Sequence, residues 1–359
     1  RLRCLARRQH VPVDAQIRAR GLQRGGDAVG IQRRHVRIAD QHRIASAHAA
    51  RQQGDPARFA RIDAHQDRAM VWLAVQKVFM DRGWLSSNNI LVQGDGPTAL
   101  VDSGYATHAD QTVELVATAL QDRRLELLLN THLHSDHCGG NAALQAAYPE
   151  LVTLIPPGQA AMVEDWDPVA LTFEPTGQHC PQFVHQAVLV PGTSVQLGAL
   201  SWEVHAAKGH DPHSIILFEP QHRVLISADA LWENGFGIAF PELEGHSAFD
   251  DVANTLELIE ELGPAIVLPG HGALFTDVSA SLSRARSRLD QFVQQPERHR
   301  RHALKVLIKF KLLEWQVISV PALFEWIMST AYFQLAMPAL ASPDRATSMD
   351  WLEGMLCEL

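Results

Sequence analysis

Cysteine is scarce. Cys4, Cys138, Cys180 and Cys357 stand far apart in a chain of 359 residues, with no CxxC pair. That spacing excludes a disulfide framework and a cysteine-built zinc module. It suits a reducing compartment, so a cytoplasmic location is expected. Lysine and glutamate are missing altogether from residues 1–69, which hold fifteen Arg and six Asp, a balance of +9. The same stretch has no apolar segment fit for a secretory signal and no sustained apolar periodicity. Dense arginine admits a nucleic-acid-binding tail, and an acid-poor Arg-rich stretch admits a transit peptide. Six Asp and little Ser argue against the second. The favoured expectation is a disordered or non-native extension upstream of a start near Met70 or Met80.

Basic charge is scarce in the remainder. Residues 70–359 carry 16 basic and 34 acidic side chains, a balance of −18, which makes phosphate backbones poor partners for the main domain. Long clean apolar runs are lacking too. Val317–Met337 is largely apolar but contains Pro321, Glu325 and Gln334, so a buried helix pair is expected there rather than a membrane span. Apolar residues at 46% and charged residues at 20% exclude collagen-like, coiled-coil and wholly disordered classes.

Histidine, by contrast, is abundant, with 19 residues. From residue 70 the chain reads as alternating elements. Short strands are expected at 75–79, 89–93, 98–102, 125–130, 151–155, 195–197, 201–206, 214–218, 224–227 and 265–268. Helices are expected at 111–120, 139–148, 248–262 and 279–293; in the third, Val252, Leu256 and Ile259 share a face. Two batches of strands, each followed by helices, point to two packed sheets with helices outside.

The chemistry gathers in Thr131-His132-Leu133-His134-Ser135-Asp136-His137-Cys138-Gly139-Gly140. Four potential metal ligands fall within six residues directly after an expected strand. On an extended backbone His132 and His134 point the same way, and Asp136 and His137 follow in the turn. Imidazole and carboxylate suit zinc, manganese or iron. Gly139 and Gly140 let the backbone pass close to such a site, and Cys138 is expected to point away. Three further candidates lie at strand ends or turns: His210 after Gly209, Asp229 after Val224–Ala228, and His271 in Pro269-Gly270-His271-Gly272. A carboxylate at the end of an apolar strand is costly to bury unless paired or metal-bound.

The ordered set HxHxDH, Gly-His, Ala-Asp-Ala and Pro-Gly-His-Gly resembles the metallo-β-lactamase-fold hydrolase superfamily over about residues 70–295. The resemblance implies an α/β (α+β) fold, an αββα sandwich with metals at one edge of the two sheets. It divides the chain into the 1–69 extension, a hydrolase domain at 70–295 and a small helical extension at 296–359, weakly similar to a winged-helix domain. It implies two divalent metals, zinc foremost with iron or manganese as alternatives. His132, His134 and His210 would hold one, Asp136, His137 and His271 the other, and Asp229 would bridge both. Asp136, with a second oxygen free, would be catalytic, orienting the attacking hydroxide and carrying its proton. His213 is the better candidate, ahead of His205, for a residue supporting the ligands.

The bridging Asp229 separates this chain from the true β-lactamases of the fold and makes it similar to glyoxalase II-type thioesterases and lactonases. The expected function is dinuclear hydrolysis of a small ester, thioester or lactone, with no nucleic-acid or membrane partner. Trp232 stands where such lactonases commonly carry tyrosine, and the basic and aromatic glutathione-binding set of glyoxalase II is not matched. Arg284, Arg286 and Arg288 are read as a solvated helix face. The alternatives are a mononuclear iron sulfur dioxygenase using His132, His210 and Asp229, a nuclease of the same fold, disfavoured by acidity, and a non-enzymatic binding protein.

Overall fold

A computed structural model describes residues 35–37, 77–336 and 345–359. The expected extension therefore lies outside the described residues except for β1 (His35–Arg37). The described chain forms two compact units, one running to Arg300 and a second made of β1 and the residues from Arg301 onward.

In the first unit β2 (Lys77–Met80), β3 (Asn89–Val92) and β4 (Ala99–Val101) form an antiparallel meander. Helix α1 (Ala109–Leu120) then leads to β5 (Leu127–Leu129), parallel to β4. A single turn, α2 (Ser135–Cys138), and α3 (Asn141–Ala147) precede β6 (Val152–Ile155). After α4 (Ala160–Asp165), β7 (Ala187–Val188) closes a six-stranded sheet ordered β2-β3-β4-β5-β6-β7. The second sheet begins with β8 (Ser194–Leu197), β9 (Leu200–Ala206), β10 (Ile215–Glu219) and β11 (Val224–Ala228). Past α5 (Phe240–Leu243) and α6 (Phe249–Leu262), β12 (Ile266–Pro269) adds parallel to β11, giving the order β12-β11-β10-β9-β8. Helix α7 (Val278–Gln294) follows.

Successive side chains point to opposite faces of a strand, and in the central strands both faces are buried. Ile90, Val92, Val101, Leu129, Ile215, Leu217, Val224 and Ile226 meet around the fully buried Trp202 between the sheets. Their neighbours Leu91, Leu100 and Leu128 face outward onto Val116, Leu120 and Leu144. On the far side Ile216, Phe218, Leu225 and Val267 pack against Val252, Leu256 and Ile259 of α6 and Leu282, Ala285 and Leu289 of α7. Each fully buried side chain of this size contributes roughly 1.5–3 kcal/mol. The result is the expected αββα sandwich. Gly263, at φ +57°, ends α6 with its N–H donating to the Ile259 and Glu260 carbonyls.

The second unit contains most of α8 (Pro296–Trp315), then β13 (Val317–Ser319), α9 (Val320–Ser329), α10 (Ala331–Ala336) and α11 (Arg345–Glu358). β13 pairs antiparallel with β1. Within 317–337 the expected helix pair is α9 and α10, with Leu323, Phe324, Ile327, Tyr332 and Phe333 buried. Pro321 falls in the first turn of α9, where its missing N–H costs nothing. Among the described residues no helix is long and apolar enough to cross a membrane.

Candidate metal centre

The seven expected ligands meet at the carboxyl ends of β5, β11 and β12 and in the turn between β9 and β10. Their donor atoms fall into three groups, each within 4.8 Å: His132, His134 and His210; Asp136, His137 and His271; and His132, His137 and Asp229. Asp229 lies between the halves. Its Oδ1 is 3.4 Å from His137 Nε2, and its Oδ2 is 3.4 Å from His210 Nε2 and 3.8 Å from His271 Nε2.

Local backbone aims these groups. Ala228, at the end of β11, sits at φ +46°, where an alanine pays a steric penalty, and the β11–β12 register is irregular there. Its carbonyl accepts from the Gly270 N–H at 2.7 Å. A Cβ on Gly270 would lie 2.2 Å from Asp229 Oδ1, so that glycine makes room rather than a left-handed turn. A Cβ on Gly140 would meet the Ser103 carbonyl at 2.4 Å, and one on Gly139 the Ala106 nitrogen at 2.5 Å. The expected 139–148 helix is α3, which begins at Asn141 after this close-packed glycine pair.

The ring nitrogens turned away from the centre are fixed by donation. His137 Nδ1–H donates to Asp102 Oδ2 (2.8 Å), His210 Nδ1–H to the Ile238 carbonyl (2.6 Å) and His271 Nδ1–H to the Gly83 carbonyl (3.2 Å). Thr131 donates its hydroxyl to Asp102 Oδ2 at 2.8 Å, which leaves its oxygen to accept from His132 Nδ1–H at 3.1 Å. Asp102 also accepts from the Thr131 N–H. Asp211 Oδ2 lies 3.7 Å from His134 Nε2. The loop between β2 and β3 clasps the far strand: Ser87 N–H donates to the Asp136 carbonyl, Asn88 N–H to the Gly270 carbonyl, and Asn88 Nδ2 to the Pro269 and Gly272 carbonyls.

Charge is unevenly held. Burial, then the neighbouring imidazoles, push His132 well below the usual histidine value. Burial and His210 lower His134 to about 4. Burial also opposes a charge on His137, but Asp102, Asp229 and Asp136 outweigh it and hold the ring well above its ordinary value. His271 is raised against the same burial by Asp229 and Asp136. Asp136 and Asp229 are driven below the carboxylate range despite burial, the first by His137 and His271, the second by His271, His137 and His210.

The donor set fits a cation. The Nε2 atoms of His132 and His137 are buried with no hydrogen-bond partner. His134 Nδ1 and His210 Nε2 face each other at 2.9 Å. Both rings belong to the three-residue donor group with His132.

Several contacts lay beyond the sequence reading. Asp102 carries the signature of Asp229, a carboxylate closing an apolar strand, and the same rule finds it. The described contacts of His213 are with Asp211 Oδ1, through its N–H, and with Gly158, whose Cβ would meet its ring; Asp211 is the group that faces His134. Trp232 Nε1–H donates to Asp229 Oδ1 at 3.2 Å. Cys138 does point away. Its Sγ lies 3.8 Å from Cys180 Sγ in a buried apolar cluster. Of the three arginines, Arg286 pairs with Glu260, Arg284 donates to the Glu233 carbonyl, and Arg288 is half-buried under Gly235, its pKa lowered by that burial.

A sequence profile of the metallo-beta-lactamase superfamily matches residues 82–271. The chain belongs to that superfamily, whose fold implies divalent-metal binding. A hydroxyacylglutathione hydrolase of Stenotrophomonas maltophilia is 30% identical over 151 residues, 42% of this chain and 48% of that protein. The chain thus spans about half the length of that relative. A human acyl-coenzyme A thioesterase is 27% identical over 221 residues, covering 55% of this chain and 76% of that one. A beta-lactamase domain protein from Burkholderia ambifaria superposes with a TM-score of 0.51 at 21% identity, over 79% of this chain and 93% of that one, and supports the fold.

Proposed function

We propose that the chain is a dinuclear metal-dependent hydrolase acting on a small ester, thioester or lactone, with zinc as the expected metal. One observation carries this reading: two three-residue donor groups, His132/His134/His210 and Asp136/His137/His271, stand on either side of Asp229. Relatives named for hydrolysis of hydroxyacylglutathione and of acyl-coenzyme A support the choice of substrate class.

Divalent cations bound there lower the pKa of water toward neutrality and polarise a carbonyl oxygen. The protein supplies the rest. Asp102, Thr131, Ile238 and Gly83 fix the rings so that lone pairs face inward. Asp136 directs Oδ2 to His271 at 3.1 Å and keeps Oδ1 to orient the attacking water and hold its proton. The complete Asp136/His137/His271 group weighs against a mononuclear dioxygenase, and the acidity of residues 70–359 against a nuclease.

The test is elemental mass spectrometry of the full chain purified without added metal, followed by a panel of thioesters and lactones. About two zinc ions per chain, or a zinc–iron pair, are expected, with hydrolysis lost on chelation and restored by zinc. About one iron alone, with oxygen uptake on persulfides, would overturn the reading.

A further inference from the structure

The mouth of the centre is walled by aromatic rings that the chemistry above leaves unused. Trp84, in the loop between β2 and β3, is 52% exposed. Its indole lies parallel to the His271 ring, centroids 5.5 Å apart at 6°. Trp232 packs edge-on against both, 5.5 Å from Trp84 and 5.4 Å from His271. Across the centre Phe240 abuts His134 at 5.0 Å and His210 at 5.7 Å. An indole with one face on a candidate ligand and half its surface in water is an apolar area placed at a reaction site.

We propose that Trp84 and Trp232 form a platform that binds the acyl group of the substrate, and that the preferred substrate carries an uncharged hydrocarbon acyl chain. The proposal rests on the hydrolase reading. Aromatic area recognises hydrocarbon, and in a thioester only the acyl part is hydrocarbon, since carriers such as glutathione and coenzyme A are polar and charged. The polar partners of the seven ligand side chains are His, Asp, Thr, Trp and backbone groups, and the balance of −18 in residues 70–359 disfavours anionic acyl groups.

The experiment compares wild type, Trp84→Ala and Trp84→Phe on thioesters of one carrier from acetyl to decanoyl. In the wild type kcat/KM should rise by up to about fourfold per methylene. Trp84→Ala should lower the octanoyl-to-acetyl ratio by about tenfold or more, and Trp84→Phe should restore most of it. An equal loss at every length would mean that Trp84 only holds His271, and would overturn the platform; so would a flat wild-type series. A second readout needs no turnover: indole fluorescence titrated with S-methyl- to S-decyl-glutathione, thioethers that cannot be hydrolysed. Affinity rising with alkyl length in wild type and not in Trp84→Ala supports the platform. If that pattern appears while no ester, thioester or lactone is cleaved, the hydrolase reading falls and the platform stands. Hydrolysis without chain-length-dependent binding overturns the platform alone.

Discussion

The two halves of the centre share the same ring chemistry but hold protons unequally. His132 and His134 sit mainly among other imidazoles, so burial keeps them neutral. His137 and His271 sit among Asp102, Asp136 and Asp229, and those carboxylates hold them protonated against the same burial. The difference teaches that a cation enters one half by meeting lone pairs and the other by displacing protons.

The largest expected effect tests this contrast through pH. As pH is lowered, affinity at the Asp136/His137/His271 half should fall by roughly tenfold per pH unit for each proton that the metal displaces. The His132/His134/His210 half should weaken less steeply until His134 titrates at about 4. Competition titrations with a chelator at several pH values measure both, and equal slopes would break the comparison. In the metal-free protein the signs oppose. The raised His137 and His271 contribute stability that is full below 6.5 and lost as pH rises through their folded values. His134, lowered to about 4, contributes stability present above 6.5 and lost as pH falls through that value.

A smaller effect sharpens the contrast. Asp102→Asn keeps an acceptor for His137 Nδ1–H but removes the charge, so metal affinity should fall about 10–100-fold and the pH slope should become shallower by about one proton. The same titration checks it, and an unchanged slope would remove Asp102 from the account. Smallest is Ala228→Gly, which relieves a left-handed alanine beside the shared Asp229 and should stabilise the chain by about 1 kcal/mol in thermal melts. No gain would mean that the strand end is not strained.

Much of this was legible in the sequence. Four ligands fall within residues 132–137, and Asp229 and His271 follow short apolar strands, so local order alone marks them. Short apolar runs between turn residues located ten of the eleven strands of the two sheets, and the Val252, Leu256, Ile259 stripe located α6, each to within two residues; only β7 was missed. What stayed hidden depends on distant partners. Asp102 closes an apolar strand as Asp229 does, but its role depends on a ring partner, His137, that stands 35 residues on. The close packing of Gly139 and Gly140 depends on the backbone of Ala106 and Ser103, more than thirty residues earlier. Trp84 acquires meaning only through His271, which lies in the turn after the last strand of the other sheet.

The clasp made by Asn88 sets a schedule for the molecule's assembly. Its amide reaches the Pro269 carbonyl across 181 residues of chain. Closing so long a loop is slow and is rewarded only after both sheets exist. During synthesis the HxHxDH segment emerges long before the turn that carries His271, so the Asp136/His137/His271 half is completed only when the first hairpin meets the last strand. Tight binding at that half therefore marks a finished fold, and a bound cation stabilises the very contact that forms last.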